Sequence, residues 1–189
     1  MDSTTFAYVT LSVSGLLDGN AEVLILDGDT FALATDAPGQ DTIGGNYHVR
    51  VSTGAGTATI SIIKQGGGTF SEVEAETLIK AIQYQHTDTG APTDGDRLIE
   101  VRVNDGTTDS AAARTTINID PVNDAPSVAT NTGITVNEAS TGNVLTKAML
   151  NEGDPDDAGT GLTYTVTAVT TNGTLRLSGT ALGLNDTFT

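Results

Sequence analysis

Apolar and polar residues alternate with period two in several stretches of the chain. Val9, Leu11 and Val13 fall on one side of an extended segment with Thr10 and Ser12 on the other, and Ile99, Val101 and Val103 repeat the arrangement against Glu100 and Arg102. Successive side chains of a strand point to opposite faces, so both segments are half-buried strands. Residues 21–26, 46–51, 57–63, 82–86 and 111–119 are further strand candidates. Between them lie Asp27-Gly28-Asp29, Gly66-Gly67-Gly68 and Asn104-Asp105-Gly106, where positive φ and side-chain-to-backbone hydrogen bonds favour turns. The pattern predicts an all-β sandwich.

One segment departs from that period. Ser71 followed three residues later by Glu74 forms a capping box, and Val73, Ala75, Leu78, Ile79 and Ile82 recur at helical spacing. A short helix over Ser71–Ala81 is expected, with that apolar stripe packed on the core, because three turns are stable only when the stripe is buried.

The run Ile119-Asp120-Pro121-Val122-Asn123-Asp124-Ala125-Pro126 marks a boundary: its two prolines cannot continue a central strand and hold the residues before them extended. The division expected is a sandwich over 1–122, a stiff linker over 123–126 and a second module over 127–189. In that module Gly133–Val136, Val144–Leu150, Leu162–Val169 and Leu175–Leu177 are strand candidates. Tyr8–Val13 also aligns with Tyr164–Val169, each preceded by an Asp at nearly equal distance (Asp2 and Asp157). The alignment implies that the chain starts inside one module, lacking its first strands, and stops halfway through the next. A half-module of this kind has three outcomes: thin packing, completion by another chain in a strand-swapped dimer, or docking on the first module. The last two are favoured.

Composition changes the picture mainly by exclusion. Roughly one residue in six is Thr, which reinforces strands. The 24 acidic residues against 8 basic give a net charge of −16, which repels phosphate backbones and anionic headgroups, so neither nucleic acid nor a membrane surface is a partner. There is no Cys for a disulfide or thiolate metal site, and two His cannot build a His-rich cage. Calcium, which takes oxygen ligands, fits this chemistry. No apolar run nears the about 20 residues of a membrane helix, and Met1-Asp2-Ser3 lacks the features of a signal peptide.

The candidate metal ligands cluster. Asp120, Asn123 and Asp124 offer oxygens within five positions, and Asp154-Pro155-Asp156-Asp157 adds three carboxylates in a turn. Any one of these serves equally well as a turn former; taken together they favour calcium, which needs six to eight oxygens held by loops. Other motifs are weaker. Gly54-Ala55-Gly56 and the triple glycine lack the Gly-Lys-Ser/Thr ending of a phosphate loop. His48 and His86 lack a recognisable nucleophile turn or acid pair at fixed spacing, so no enzyme is expected. With only 4% aromatic residues, a ring platform for sugars is also disfavoured.

Val122-Asn123-Asp124-Ala125-Pro126 resembles the junction of bacterial cadherin-like tandem repeats in large surface and type I secreted, RTX-type adhesins. Glu72–Tyr84, with Gly95-Asp96-Arg97 through Asn104-Asp105-Gly106, resembles the second half of such a repeat. Residues 126–189 look like the first half of a chondroitin-sulfate-proteoglycan-type cadherin-like repeat, through Ile134-Thr135-Val136-Asn137-Glu138, Asp154-Pro155-Asp156-Asp157, Leu162-Thr163-Tyr164 and Asn172-Gly173-Thr174-Leu175.

The resemblance implies Ig-like Greek-key sandwiches in series, extracellular and bacterial, with calcium stiffening the junctions. Asp120, Asn123 and Asp124 would match junction ligands, Asp154 and Asp156 the paired aspartates of the following module, with Asp157 beside them, and Glu138 the glutamate after the first strand, which serves the next junction downstream. The linker departs from the animal pattern, with Ala125 where a second Asn would stand. The function expected is a non-catalytic, calcium-stiffened spacer in cell adhesion or biofilm attachment, whose partners are neighbouring repeats and a cell-surface or matrix ligand. The alternatives are a carbohydrate- or protein-recognition module and a metal-free spacer.

Overall fold

The computed structural model describes residues 4–156 and 162–189. The chain divides into two compact units, Met1–Val122 and Asn123–Thr189.

In chain order the first unit contains β1 (Thr5–Phe6), β2 (Tyr8–Ser14), β3 (Glu22–Leu26), β4 (Asp29–Ala32), β5 (Ala37–Asp41), β6 (Tyr47–Gly54), β7 (Thr57–Lys64), β8 (Phe70–Ser71), α1 (Glu72–Ala81), β9 (Gln83–His86), β10 (Gly95–Asn104) and β11 (Ala113–Ile119). Antiparallel pairing gives a six-stranded sheet in the order β11-β10-β2-β7-β6-β5 and a three-stranded sheet in the order β4-β3-β9, with a short β1-β8 pair beside them. The fold is an all-β sandwich with one short helix, as expected from the alternation.

The inward positions of the central strands make the core. Val9, Leu11 and Val13 of β2, Ala58, Ile60 and Ile62 of β7, and Val49 and Val51 of β6 pack against Leu24, Leu26 and Phe31 from the smaller sheet. Ala55 and Gly56 form the tip of the β6-β7 hairpin, where Gly54 lies opposite Thr57. The capping box forms as the sequence implies: the Ser71 hydroxyl accepts from the Glu74 amide, and the Glu74 carboxylate accepts from the Ser71 amide at 2.8 Å. The Lys64 ammonium, the first cause, and the Ser71 donors hold the Glu74 carboxyl down at about 2. Ala75 and Leu78 are buried as expected, with Ile79 and Ile82 packed beside them. Val73 is not on that stripe; it lies in the first turn and is 70% exposed.

The second unit contains β12 (Ser127–Asn131), β13 (Leu150–Gly153), β14 (Tyr164–Thr165), β15 (Arg176–Leu177), β16 (Thr180–Ala181) and β17 (Thr187–Phe188). They form three separate two-stranded ladders, β12-β13, β14-β17 and β15-β16. The strands expected at Gly133–Val136 and over most of Val144–Leu150 do not form; residues 132–149 are a connection, and β13 begins only at Leu150. An isolated apolar run gains strand geometry only from a partner, and these runs have none among the described residues. Tyr8–Val13 and Tyr164–Val169 differ as well, since the first lies in a seven-residue central strand and the second holds a two-residue one. Val166 is the single buried apolar side chain among the described residues of this unit. Of the three outcomes expected for a half-module, thin packing is the one its own residues display.

Candidate functional site

Two groups of acidic side chains stand out, one in each unit. The first lies beyond one end of the β12-β13 ladder. Ser127 is paired with Gly153, so the residues just before β12 and just after β13 emerge side by side. Asp156 Oδ2 accepts from the Asp124 amide at 2.5 Å, and Asp154 Oδ1 accepts from the Asp156 amide at 2.9 Å. The Asn123 side-chain amide donates to the Asp124 carbonyl at 2.7 Å. The hairpin register thus sets the Asp156 carboxylate on the main chain of Asp124, 32 positions away, and the Asp154 carboxylate on that of Asp156. The three are linked through main-chain amides, and among the described residues they do not form a set of carboxylates with ligand atoms within 4.8 Å of one another.

Asp120 is exposed and belongs to the first unit. Glu138 is exposed in the 132–149 connection, which leaves the ladder from its Asn131/Leu150 end, opposite the end that carries the aspartates. Asp157 lies outside the described residues. Oxygen donors of this kind suit calcium. The Asp124 carboxylate and Asp156 Oδ1 accept no hydrogen bond among the described residues, so oxygens are available to a cation. Among the described residues neither has a Lys or Arg partner.

The second group closes one end of the first unit's sandwich. Glu22, at the start of β3, and Arg97, on β10, come from opposite sheets and are both fully buried. Arg97 Nε donates to Glu22 Oε2 at 2.8 Å, and Tyr84 of β9 donates its hydroxyl to the same oxygen at 2.6 Å. Glu22 Oε1 accepts the amides of Leu17 at 2.7 Å and Asp18 at 2.9 Å. Arg97 Nη2 reaches Asp18 Oδ2 at 3.0 Å, and His86 Nε2 lies 2.8 Å from the same atom. Thr93 donates to Asp18 from its amide at 3.0 Å and from its hydroxyl. The approach of Leu17 and Asp18 depends on Gly15, whose φ is 82° and whose position would drive a Cβ to 2.4 Å from the Asp96 carbonyl oxygen.

The electrostatics follow from that geometry. Burial would raise the Glu22 carboxyl, but Arg97, Tyr84 and the amides of Asp18 and Leu17 outweigh it and hold it below the usual range. At Asp18 burial also acts upward, and the Thr93 hydroxyl, His86 and the Thr93 amide again win, lowering it. Burial, then the neighbouring Glu22 carboxylate, raises the Tyr84 phenol.

Asp18, Glu22 and His86 hold ligand-type atoms within 4.8 Å of one another, a spacing a metal would tolerate. The place of the cation, however, is taken by the Arg97 guanidinium, and each carboxylate oxygen already accepts a protein donor. The group is a clamp between two sheets.

Sequence reasoning missed this clamp, yet the signal was present in the register. Glu22 shares a strand face with Leu24 and Leu26, and Arg97 with Ile99. A charged residue of each sign at an inward position predicts a buried pair.

The remaining histidine, His48, pairs through Nδ1 with Asp41 Oδ1 at 2.7 Å in the β5-β6 hairpin, where both side chains are exposed. None of the eight Phe and Tyr rings is exposed. Tyr164 and Phe188 stack on each other at 5.2 Å and 11°.

Comparison of the chain with protein-family models, with curated proteins and with solved structures gives no match.

Proposed function

We propose that this chain is a non-catalytic structural segment of a bacterial cell-surface or secreted adhesin-like protein, built of cadherin-like repeats and stiffened by calcium. The observation that supports the reading is the seating of the Asp156 carboxylate on the Asp124 amide, inside the Pro-Val-Asn-Asp-Ala-Pro boundary, with Asp154 hydrogen-bonded to the Asp156 amide. A divalent cation gathered among neighbouring carboxylates would turn their mutual repulsion into attraction. Asp124, Asp154 and Asp156 would hold the ion, with Asp120, Asn123 and Asp157 as neighbours in sequence. Its role would be to order the loops, because a ligand that binds only the ordered state stabilises that state. Glu138 is assigned to a different junction. The partners of such a segment are neighbouring repeats and a cell-surface or matrix ligand. The absence of any exposed ring disfavours a stacking platform for sugars.

Thermal unfolding of the chain with millimolar calcium and with chelator tests this reading. Calcium should raise the midpoint of the second unit's transition, and D156N, which keeps shape and removes charge, should abolish the shift. An identical midpoint in both conditions would leave a metal-free spacer.

A further inference from the structure

We propose that the outer edge of β11 pairs with the same edge of a second copy of this chain, antiparallel about a twofold axis through Thr116, so that two six-stranded sheets join into one. The two edges of that sheet differ in design. At β5, Pro38 lacks an N–H, Gly39 sits at φ 126°, and the register with β6 shifts between Ala37 and Gln40. Proline, bulges and breaks are how an edge is made unfit for further pairing. At the other edge, β11 follows β10 rung for rung from Gly95↔Ile119 to Val101↔Ala113, with no shift and no proline. Its one charged side chain, Arg114, is ion-paired with Glu100 on the neighbouring strand.

Alternation settles which backbone groups face outward. The Val103 carbonyl accepts from the Ser110 amide at 2.8 Å, and the Val103 amide donates to the Ser110 hydroxyl, so Val103 turns its polar groups toward the β11 side. Val101, Ile99 and Arg97 share that parity and bond to Ala113, Thr115 and Ile117. Arg114, Thr116 and Asn118 therefore present N–H and C=O to the outside, and all three residues are exposed.

The occupant follows from the match of this edge to itself. In an antiparallel pairing centred on Thr116, each Thr116 meets its own copy and each Arg114 meets Asn118. All three outward residues come into register, with about six hydrogen bonds across the axis. The side-chain pairs that result are Thr with Thr and Arg with Asn, with no like charges opposed. The contact is isologous and closes on itself. The net charge of −16 opposes it at long range, so association should strengthen as salt screens that repulsion.

Sedimentation of the full chain over a concentration series, with chelator present throughout to exclude calcium-driven association, tests the pairing at about 0.15 M and about 1 M NaCl. The mass should climb from 19.3 kDa toward twice that value, more steeply at high salt. Thr116→Pro should hold it at the monomer with an unchanged melting temperature, because the Thr116 amide serves no bond within its own sheet. A wild-type chain that stays monomeric at both salts, or a T116P chain that dimerises equally, would overturn the proposal. Should T116P not fold, amide exchange of the wild-type chain decides: Arg114, Thr116 and Asn118 slow with concentration if the edges pair, and unchanged exchange rejects it.

Discussion

The first unit and the second draw on the same kinds of residue, Thr and β-branched aliphatics between Gly- and Asp-rich turns, and end in different packing. Among the described residues, every buried apolar side chain except Val166 belongs to the first unit. There, strands of up to ten residues pair in a six-stranded sheet with a second sheet across the core. In the second, ladders of two to five residues stand alone, and Val128, Val136, Val144, Val169 and Leu184 are about half exposed or more. Apolar content alone does not build a core. What separates the units is whether each alternating segment finds a long-range partner that fixes its inward face, since the hydrophobic gain depends on area removed from water.

The comparison can be broken most sharply at the clamp. Arg97→Ala leaves Glu22 buried without its counter-ion and should destabilise the first unit by about 3–5 kcal/mol in urea unfolding. Replacing both partners by apolar residues, E22L with R97M, should recover most of that loss. A single variant as mild as the double would mean that the pair holds nothing together.

In the core, Leu24→Ala should cost about 2–5 kcal/mol, read from the same transition, because the side chain is fully buried between the sheets. Acid separates the units less abruptly. Asp18 and Glu22 have lowered pKa values in the folded state, so their stabilising contribution is complete above the ordinary carboxyl range. It is lost as the pH falls below about 4 and through the folded-state values. A pH series of melting temperatures should show the first unit weakening there, with D18N flattening the slope. The smallest effect is expected in the second unit: Val144→Thr, at a side chain 68% exposed, should change stability by less than about 0.5 kcal/mol. A larger loss would show that this surface is covered in solution.

The parts of the structure legible in the sequence are those where one local rule suffices. Alternation located β2, β7 and β10, and Ser71 with Glu74 located the helix start. β5 escaped notice because Ala37-Pro38-Gly39-Gln40-Asp41 has neither alternation nor strand propensity; it is a strand only because β6 offers a ladder. Gly133–Val136 errs in the opposite direction, an apolar run without a neighbour. The contact of the Asp156 carboxylate with the Asp124 amide depends on the β12-β13 register, and the same ladder places Glu138 in the connection at its other end, so neither position could be read from local sequence. The Glu22–Arg97 clamp needed the facing of two strands at once, which no single window of sequence displays.

The order of strands in the larger sheet also has a mechanical meaning. β2 and β11 both run antiparallel to β10, so they are parallel to each other. The start of β2, opposite Asn104, and the finish of β11, opposite Gly95, therefore lie at opposite ends of the sheet. Tension applied at those two points runs along the strands and loads every rung of both ladders together instead of peeling them singly. Pulled between Tyr8 and Ile119, the first unit should yield in one high-force step, whereas a train of small ruptures would show that its rungs give way in turn.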